Sequence, residues 1–391
     1  MDFDPFDAAV KRDPYPFYAQ LRRATPVFHV AARRMWAISR HADVSFALRR
    51  PELFSSSVNA DGKDLPAAET LLGSDPPDHT RLRKRVERTF TPRRVRELGP
   101  RVEALAATLV GAFAGRGAAD AIAELAAPLP VILIAELMGI DPHRHDEFKQ
   151  WADAVIIRGT GRASDTPRAE LDARVAAFKA FLGGEIEARR RAPGDDLISA
   201  LVRDEPDAPG LPPAQALNFA VLLLLGGSET TTHLIGNALR ALFADRRALA
   251  RVRGNPALIP AVVEETLRHD PPVQSVLRRT TADVELGGQR LPAGASVLLL
   301  LASANRDERV FADGDQFLLD RDPVDARPLA FGAGPHHCLG ATLARMEATA
   351  ALQALLALPG LRPSYTDVEL VDSFVLRGPR ALAIAFDDSA G

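Results

Sequence analysis

The chain has 391 residues, 47% apolar and 25% charged, with a formal net charge of −3 and a single cysteine. That supplies apolar material for a large core and excludes a disordered chain, an intramolecular disulfide and global attraction to nucleic acid. The N-terminus is acidic and proline-broken, unlike a signal peptide, and apolar runs such as 219–225 fall well short of the roughly 18 residues a membrane span needs, so a soluble cytoplasmic protein without a membrane anchor is expected.

In chain order, the pattern predicts a short helix over 16–23, a hairpin from apolar stretches 27–30 and 35–39, and a helix over 41–49. The polar stretch 55–74 has no sustained period and reads as a loop, with a short turn near 67–72. Residues 75–86, DPPDHTRLRKRV, read as a proline-marked start and a helix. His79 and Arg83 are four apart there and share a face, so both can reach one anionic group. Between positions 81 and 96, eight of sixteen residues are Lys or Arg and only Glu87 opposes them, a patch that should attract an acidic surface.

From 100 to 191 the pattern is helical throughout, with breaks at 115–117, 128–130, 139–142 and 159–167. A short helix over 195–203 and a proline-rich linker over 205–213 follow. The next stretch, 213–243, reads as a long apolar helix with Gly226-Gly227-Ser228-Glu229-Thr230-Thr231 in its middle. Two interior glycines cost on the order of 1 kcal/mol each relative to alanine. Either a helix crossing or a bound ligand beside an opened backbone would offset that cost. Glu229 and Thr230 form an acid and alcohol pair able to relay protons into a buried site. On the face of Thr230 lie Gly226 and Leu222, with Leu223 beside them.

Glu265 and Arg268 stand three apart on the helix predicted over 262–268, before Pro271-Pro272. Strands are expected at 276–279, 284–286 and 296–300, with a Gly287-Gly288 turn, and a small β element over 361–386. The stretch 331–345, FGAGPHHCLGATLAR, begins with loop residues and passes at Ala341 into a segment of high helix propensity. Cys338 therefore sits on a tight loop entering a helix. Helix N-terminal N–H groups favour a thiolate there, and Gly340 permits close backbone approach. Such a sulfur is a metal ligand or a nucleophile.

The string Phe331-Gly332-x-Gly334-x-His336-x-Cys338-x-Gly340 resembles the heme-thiolate signature of the cytochrome P-450 family. The segment 226–231 resembles its oxygen-activation motif and 265–268 its E-x-x-R element, and with the His79 and Arg83 helix these cover roughly 75–345. The resemblance implies a mainly α fold with a small β portion, one domain over 1–391 in which a triangular prism of helices surrounds a buried heme b. It implies Cys338 as the axial thiolate on iron and Glu229 with Thr230 as the proton-delivery pair. His79, Arg83, Arg278 and His336 would meet the propionates, with Arg279 an adjacent rival to Arg278, and Phe331 and Gly340 would frame the loop. Glu265 and Arg268 would form a buried structural pair, whose usual third partner stands at Gln316 here. Val58, Leu72, Leu222, Leu223, Gly226, Val276 and Phe374 would line a pocket for a lipophilic small molecule.

The implied activity is a monooxygenase that inserts one atom of O2 by hydroxylation or epoxidation, on a steroid, terpenoid, fatty acid or polyketide. The chain carries no flavin or iron–sulfur segment, so electrons are expected from a separate ferredoxin-type donor docking near the basic residues 81–88. Three other readings stay open at this point: a peroxide-driven relative, a non-catalytic heme carrier, and a hydrolase or transferase with Cys338 as nucleophile and His336 or His337 as base.

Overall fold

The computed structural model describes residues 3–57, 70–87, 90, 92–160, 164–204, 209–321 and 327–387. Val58 and Arg88 lie outside the described residues, as does the first half of the turn expected near 67–72. The fold is mainly helical, with small sheets at its edge. Its axis is the long helix Pro213–Ala244, which packs against the helices Pro128–Leu137, Arg168–Arg191, Ile259–His269 and Ala341–Leu356. A proline at the first position starts it, where a missing N–H costs nothing.

The long helix runs unbroken through both interior glycines, so the backbone is not opened there. Burial explains why. Leu234, Ile235, Leu239 and Leu242 are each at most 1% exposed, and each contributes roughly 1.5–3 kcal/mol. Together they outweigh the roughly 2 kcal/mol that two glycines cost.

The main sheet has five strands, ordered Val27–Val30, Met35–Ile38, Ser296–Leu299, Val276–Thr280 and Phe54–Ser55. The first two form the expected hairpin, Met35 pairs in parallel with Ser296, and Val276 pairs antiparallel with Leu299. The C-terminal β element consists of Arg362–Pro363 and Ala383–Ala385, joined by a third strand, Ala118–Asp120, inside a stretch expected to be helical throughout. Long-range pairing overrides local propensity there. A second departure concerns the prolines at 128–130. They begin the helix Pro128–Leu137 rather than interrupt one, after a wide π turn over Ile122–Ala126. Among the described residues, no helix is long and apolar enough to cross a membrane.

Candidate functional site

The loop before the helix Ala341–Leu356 is held by its own backbone. The Cys338 N–H donates to the Phe331 carbonyl at 2.9 Å, the His337 N–H to Gly334 at 3.1 Å, and the Gly332 N–H to Leu329 at 2.8 Å. Gly332 and Gly334 both have φ of 70°, a left-handed conformation that favours glycine. A Cβ on Gly334 would also stand 2.6 Å from the Leu48 carbonyl, so glycine lets the loop lie flat on the helix His41–Arg49. Phe331 is half-buried, and the Arg345 guanidinium caps its ring at 4.5 Å.

This geometry leaves the Cys338 side chain accessible to solvent on one side and hemmed in by protein on the others. Burial raises the thiol pKa, against the opposing pull of the Gly340 and Ala341 N–H groups and the Arg83 and Arg345 charges. Those donors match a negative sulfur, and a metal ion would deprotonate it outright. The donor set is therefore that of a thiolate ligand.

Beside the loop lies a cationic and imidazole cluster. The helix Asp78–Glu87 places His79 against His336, with ring centroids 4.1 Å apart. Neither ring nitrogen of His79 has a hydrogen-bond partner among the described residues, and the same holds for His336 Nε2. Arg278 is 7% exposed on the strand Val276–Thr280, and its Nη1 donates to the Leu277 carbonyl at 2.7 Å. Arg279, next along the strand, is less buried and points to the other face. The nearby negative charges are both engaged: Asp75, 3.9 Å from His336, is bound by the Ser55 hydroxyl and the Ser56 N–H, and Glu87 is paired with Arg83.

Burial, then the charges of His79 and Arg278, hold the His336 pKa down at about 3. Burial and then Arg83 lower that of His79. Burial lowers Arg278 to about 10, so it stays charged at neutral pH. Buried donors outnumber acceptors in this corner, and the propionate carboxylates of heme fit the deficit. Arg83 is committed differently: its Nη1 donates to the carbonyls of Pro335 at 3.0 Å and His337 at 2.6 Å, and its Nε pairs with Glu87 at 2.6 Å. It clamps the cysteine loop from outside.

On the long helix the two glycines separate in role. A Cβ on Gly226 would meet no atom within 4 Å, whereas one on Gly227 would stand 3.0 Å from Ile134 Cδ1, so Gly227 is a packing glycine. The Thr230 hydroxyl donates to the Gly226 carbonyl at 2.7 Å. Glu229 is 6% exposed, with His233 Nε2 3.9 Å away. Leu222 and Leu223 are half-buried, and Leu223 packs into the core cluster around Phe178 and Leu182. The remaining pocket candidates do not converge equally. Val276 is half-buried against the sheet core, Leu72 is 56% exposed, and the Phe374 ring packs on Phe6 at 4.4 Å.

Glu265 and Arg268 are 4% and 1% exposed and form a two-point ion pair, with contacts of 2.8 and 2.7 Å. Gln316 contributes its main-chain carbonyl to Arg268 at 2.6 Å. The third charged partner is Arg321, whose Nε lies 3.3 Å from Glu265 Oε1. No local pattern in the sequence marks it, since the contact spans 56 positions.

Comparison with known proteins is consistent with this arrangement. The family model described as Cytochrome P450 matches residues 166–379. A Bacillus spizizenii protein named Cytochrome P450 109 is 40% identical over 88% of this chain and 84% of its own. The structure of cytochrome P450 CYP109Q5 from Chondromyces apiculatus superposes with a TM-score of 0.90 at 38% identity, covering 100% of this chain and 99% of that one. The structure of CYP109E1 from Bacillus megaterium in complex with corticosterone gives 0.86 at 30% identity, covering 97% and 99%.

Proposed function

The chain belongs to the cytochrome P450 family, and from that membership we propose that it hydroxylates or epoxidises a lipophilic small molecule with electrons from a ferredoxin-type donor. The family binds heme through a cysteine thiolate, and Cys338 is the chain's only cysteine. The observation that carries the reading is the loop at Cys338, where two backbone N–H groups and two arginines converge on one accessible sulfur.

Heme, when bound, supplies the iron chemistry that splits O2 with two electrons and two protons, so that one oxygen atom enters the substrate and the other leaves as water. This chain's residues do the rest. Cys338 would ligate the metal, His79, Arg278 and His336 would receive the propionates, and Arg83 fixes the loop carbonyls. Glu229 would hand on protons beside Thr230, whose hydroxyl is held by the Gly226 carbonyl at 2.7 Å. Leu222 and Gly226, on the same helix face, leave an apolar surface with room for substrate. A steroid is one candidate substrate, in keeping with the relative solved in complex with corticosterone.

The electron donor docks on the exposed side of the helix Asp78–Glu87, which Arg83 ties to the cysteine loop. Arg81 and Lys84 are exposed there. Arg85 is not part of that surface: it is half-buried and donates to the carbonyls of Arg203 and Pro209. The test of the proposed chemistry is Thr230→Ala. Electron consumption should persist while product per electron falls severalfold and peroxide accumulates; unchanged coupling would remove Thr230 from the mechanism.

A further inference from the structure

The long helix carries a second stripe of polar residues. Glu229, His233 and Asn237 recur every fourth position and Arg240 follows three later, a spacing that keeps all four on one face. The first three are 6%, 3% and 1% exposed, on a helix whose other buried positions are largely apolar. His233 Nε2 stands 3.9 Å from Glu229 Oε1, about 1 Å beyond hydrogen-bond distance.

Two further observations give this stripe direction. First, the chain leaves room for the imidazole. A Cβ on Gly378 would fall 2.3 Å from His233 Nδ1, so the C-terminal segment crosses the ring at the one residue type that accommodates it. Second, the stripe ends at solvent. Asn237 Nδ2 donates to the carbonyls of Asp270 and Arg377, both at 3.0 Å, and Arg240 Nη1 reaches Asn237 Oδ1 and Asp270 Oδ2, both at 3.3 Å. Asn237, Arg240 and Asp270, with Thr266 and Tyr365, line a cavity of about 440 Å³ bordered by the exposed Thr366 and Asp367.

We propose that His233 reprotonates Glu229, drawing its proton from water admitted through the cavity at Asn237, Arg240 and Asp270. This rests on the reading of Glu229 as the proton donor. Glu229 gives its carboxyl proton towards Thr230, and the carboxylate left behind takes the Nε2 proton of the His233 imidazolium. The neutral imidazole then takes a proton at Nε2 from water, and the hydroxide left behind is neutralised by solvent, so one proton crosses from solvent to the Thr230 side per relay step. Asn237 is a positioning residue, since its amide protons are fixed on two carbonyls. The other charged or titratable groups on this side include Asp270 and Arg377, paired with each other at 3.0 Å, His269 and Asp367 on the cavity wall, and Arg306, whose charge acts on Asp270.

The test has two parts. In the diamagnetic ferrous carbonmonoxy holoprotein, with labelled histidine, the His233 titration is followed by NMR in the wild type and in Glu229→Gln. The pKa of His233 should drop by at least half a unit in the variant, because a neighbouring carboxylate stabilises the imidazolium; an unmoved titration overturns the pairing. In turnover, His233→Gln should slow product formation at least fivefold and raise the solvent isotope effect, with heme retention unchanged. If Glu229→Gln impairs turnover while His233→Gln does not, this inference alone fails. If Glu229→Gln has no effect, the reading of Glu229 fails and takes this one with it.

Discussion

Arg321 Nε lies 3.3 Å from Glu265 Oε1 and completes, from an unexpected position, the buried charge cluster behind the cysteine loop. Arg321 also donates to the carbonyls of Ala312, at 2.5 Å, and Asp313, at 3.2 Å, so it staples the segment 312–321 to the helix Ile259–His269. Glu265 carries further load by accepting the Leu318 N–H at 2.8 Å. Arg321→Ala should therefore lower the unfolding free energy by about 1.5–3 kcal/mol, the range for hydrogen bonds to charged groups. Gln316→Ala should cost under roughly 0.5 kcal/mol, because the carbonyl is retained. Denaturant titration of both variants checks this, and equal losses would refute the assignment.

A pH dependence follows from Glu347. It is 3% exposed on the cysteine helix, Oε2 has no partner among the described residues, and burial raises its pKa from 4.5 to about 8. The unfolded chain ionises first, so folding stability is lost as pH rises from about 4.5 to about 8, by several kcal/mol in all. In Glu347→Gln that loss should disappear. The check is the denaturation midpoint at pH 6 and pH 8, which should fall in the wild type and fall clearly less in the variant; parallel falls would contradict it.

His79 and Arg278 give a prediction about heme retention. In the proposed assignment, truncating either side chain removes one partner of a propionate, and one charge-assisted hydrogen bond is about 1.5–3 kcal/mol. His79→Ala and Arg278→Ala should each speed heme transfer to a scavenger apoprotein by roughly tenfold or more. Arg279→Ala should change the rate little, since its strand neighbour faces the cluster.

The proposed docking surface gives a prediction about exposed charge. Arg81→Glu with Lys84→Glu should slow reduction by an acidic ferredoxin about tenfold at low ionic strength and flatten its salt dependence. Carbon monoxide binding to chemically reduced protein should be unaffected. Arg85→Glu should instead lower stability, because that side chain holds two loop carbonyls.

Much of this was legible in the sequence because its chemistry is local. The cysteine loop is a ten-residue pattern whose glycines take the left-handed conformations that it requires at Gly332 and Gly334. His79, Glu229 with Thr230, and Glu265 with Arg268 each lie within one or two helical turns, so periodicity alone sets their faces. What escaped depends on distant contacts. Arg321 acquires its role from a helix 56 positions earlier. Ala118–Asp120 is a strand only because 383–385 lie beside it. Glu347 looks like any surface glutamate in a helix until the surrounding helices bury it, and Arg85 reads as surface charge until the carbonyls of 203 and 209 claim it. His233 was within reach, since a histidine four residues beyond a functional carboxylate shares its face.

The measurement that tests the central claim most directly is the absorption spectrum of the dithionite-reduced protein under carbon monoxide, for the wild type and Cys338→Ser. A strongly red-shifted Soret band in the wild type that is lost in the variant is the predicted result. A band unchanged by Cys338→Ser, or no heme band in protein made with ample heme, would contradict Cys338 as the thiolate ligand.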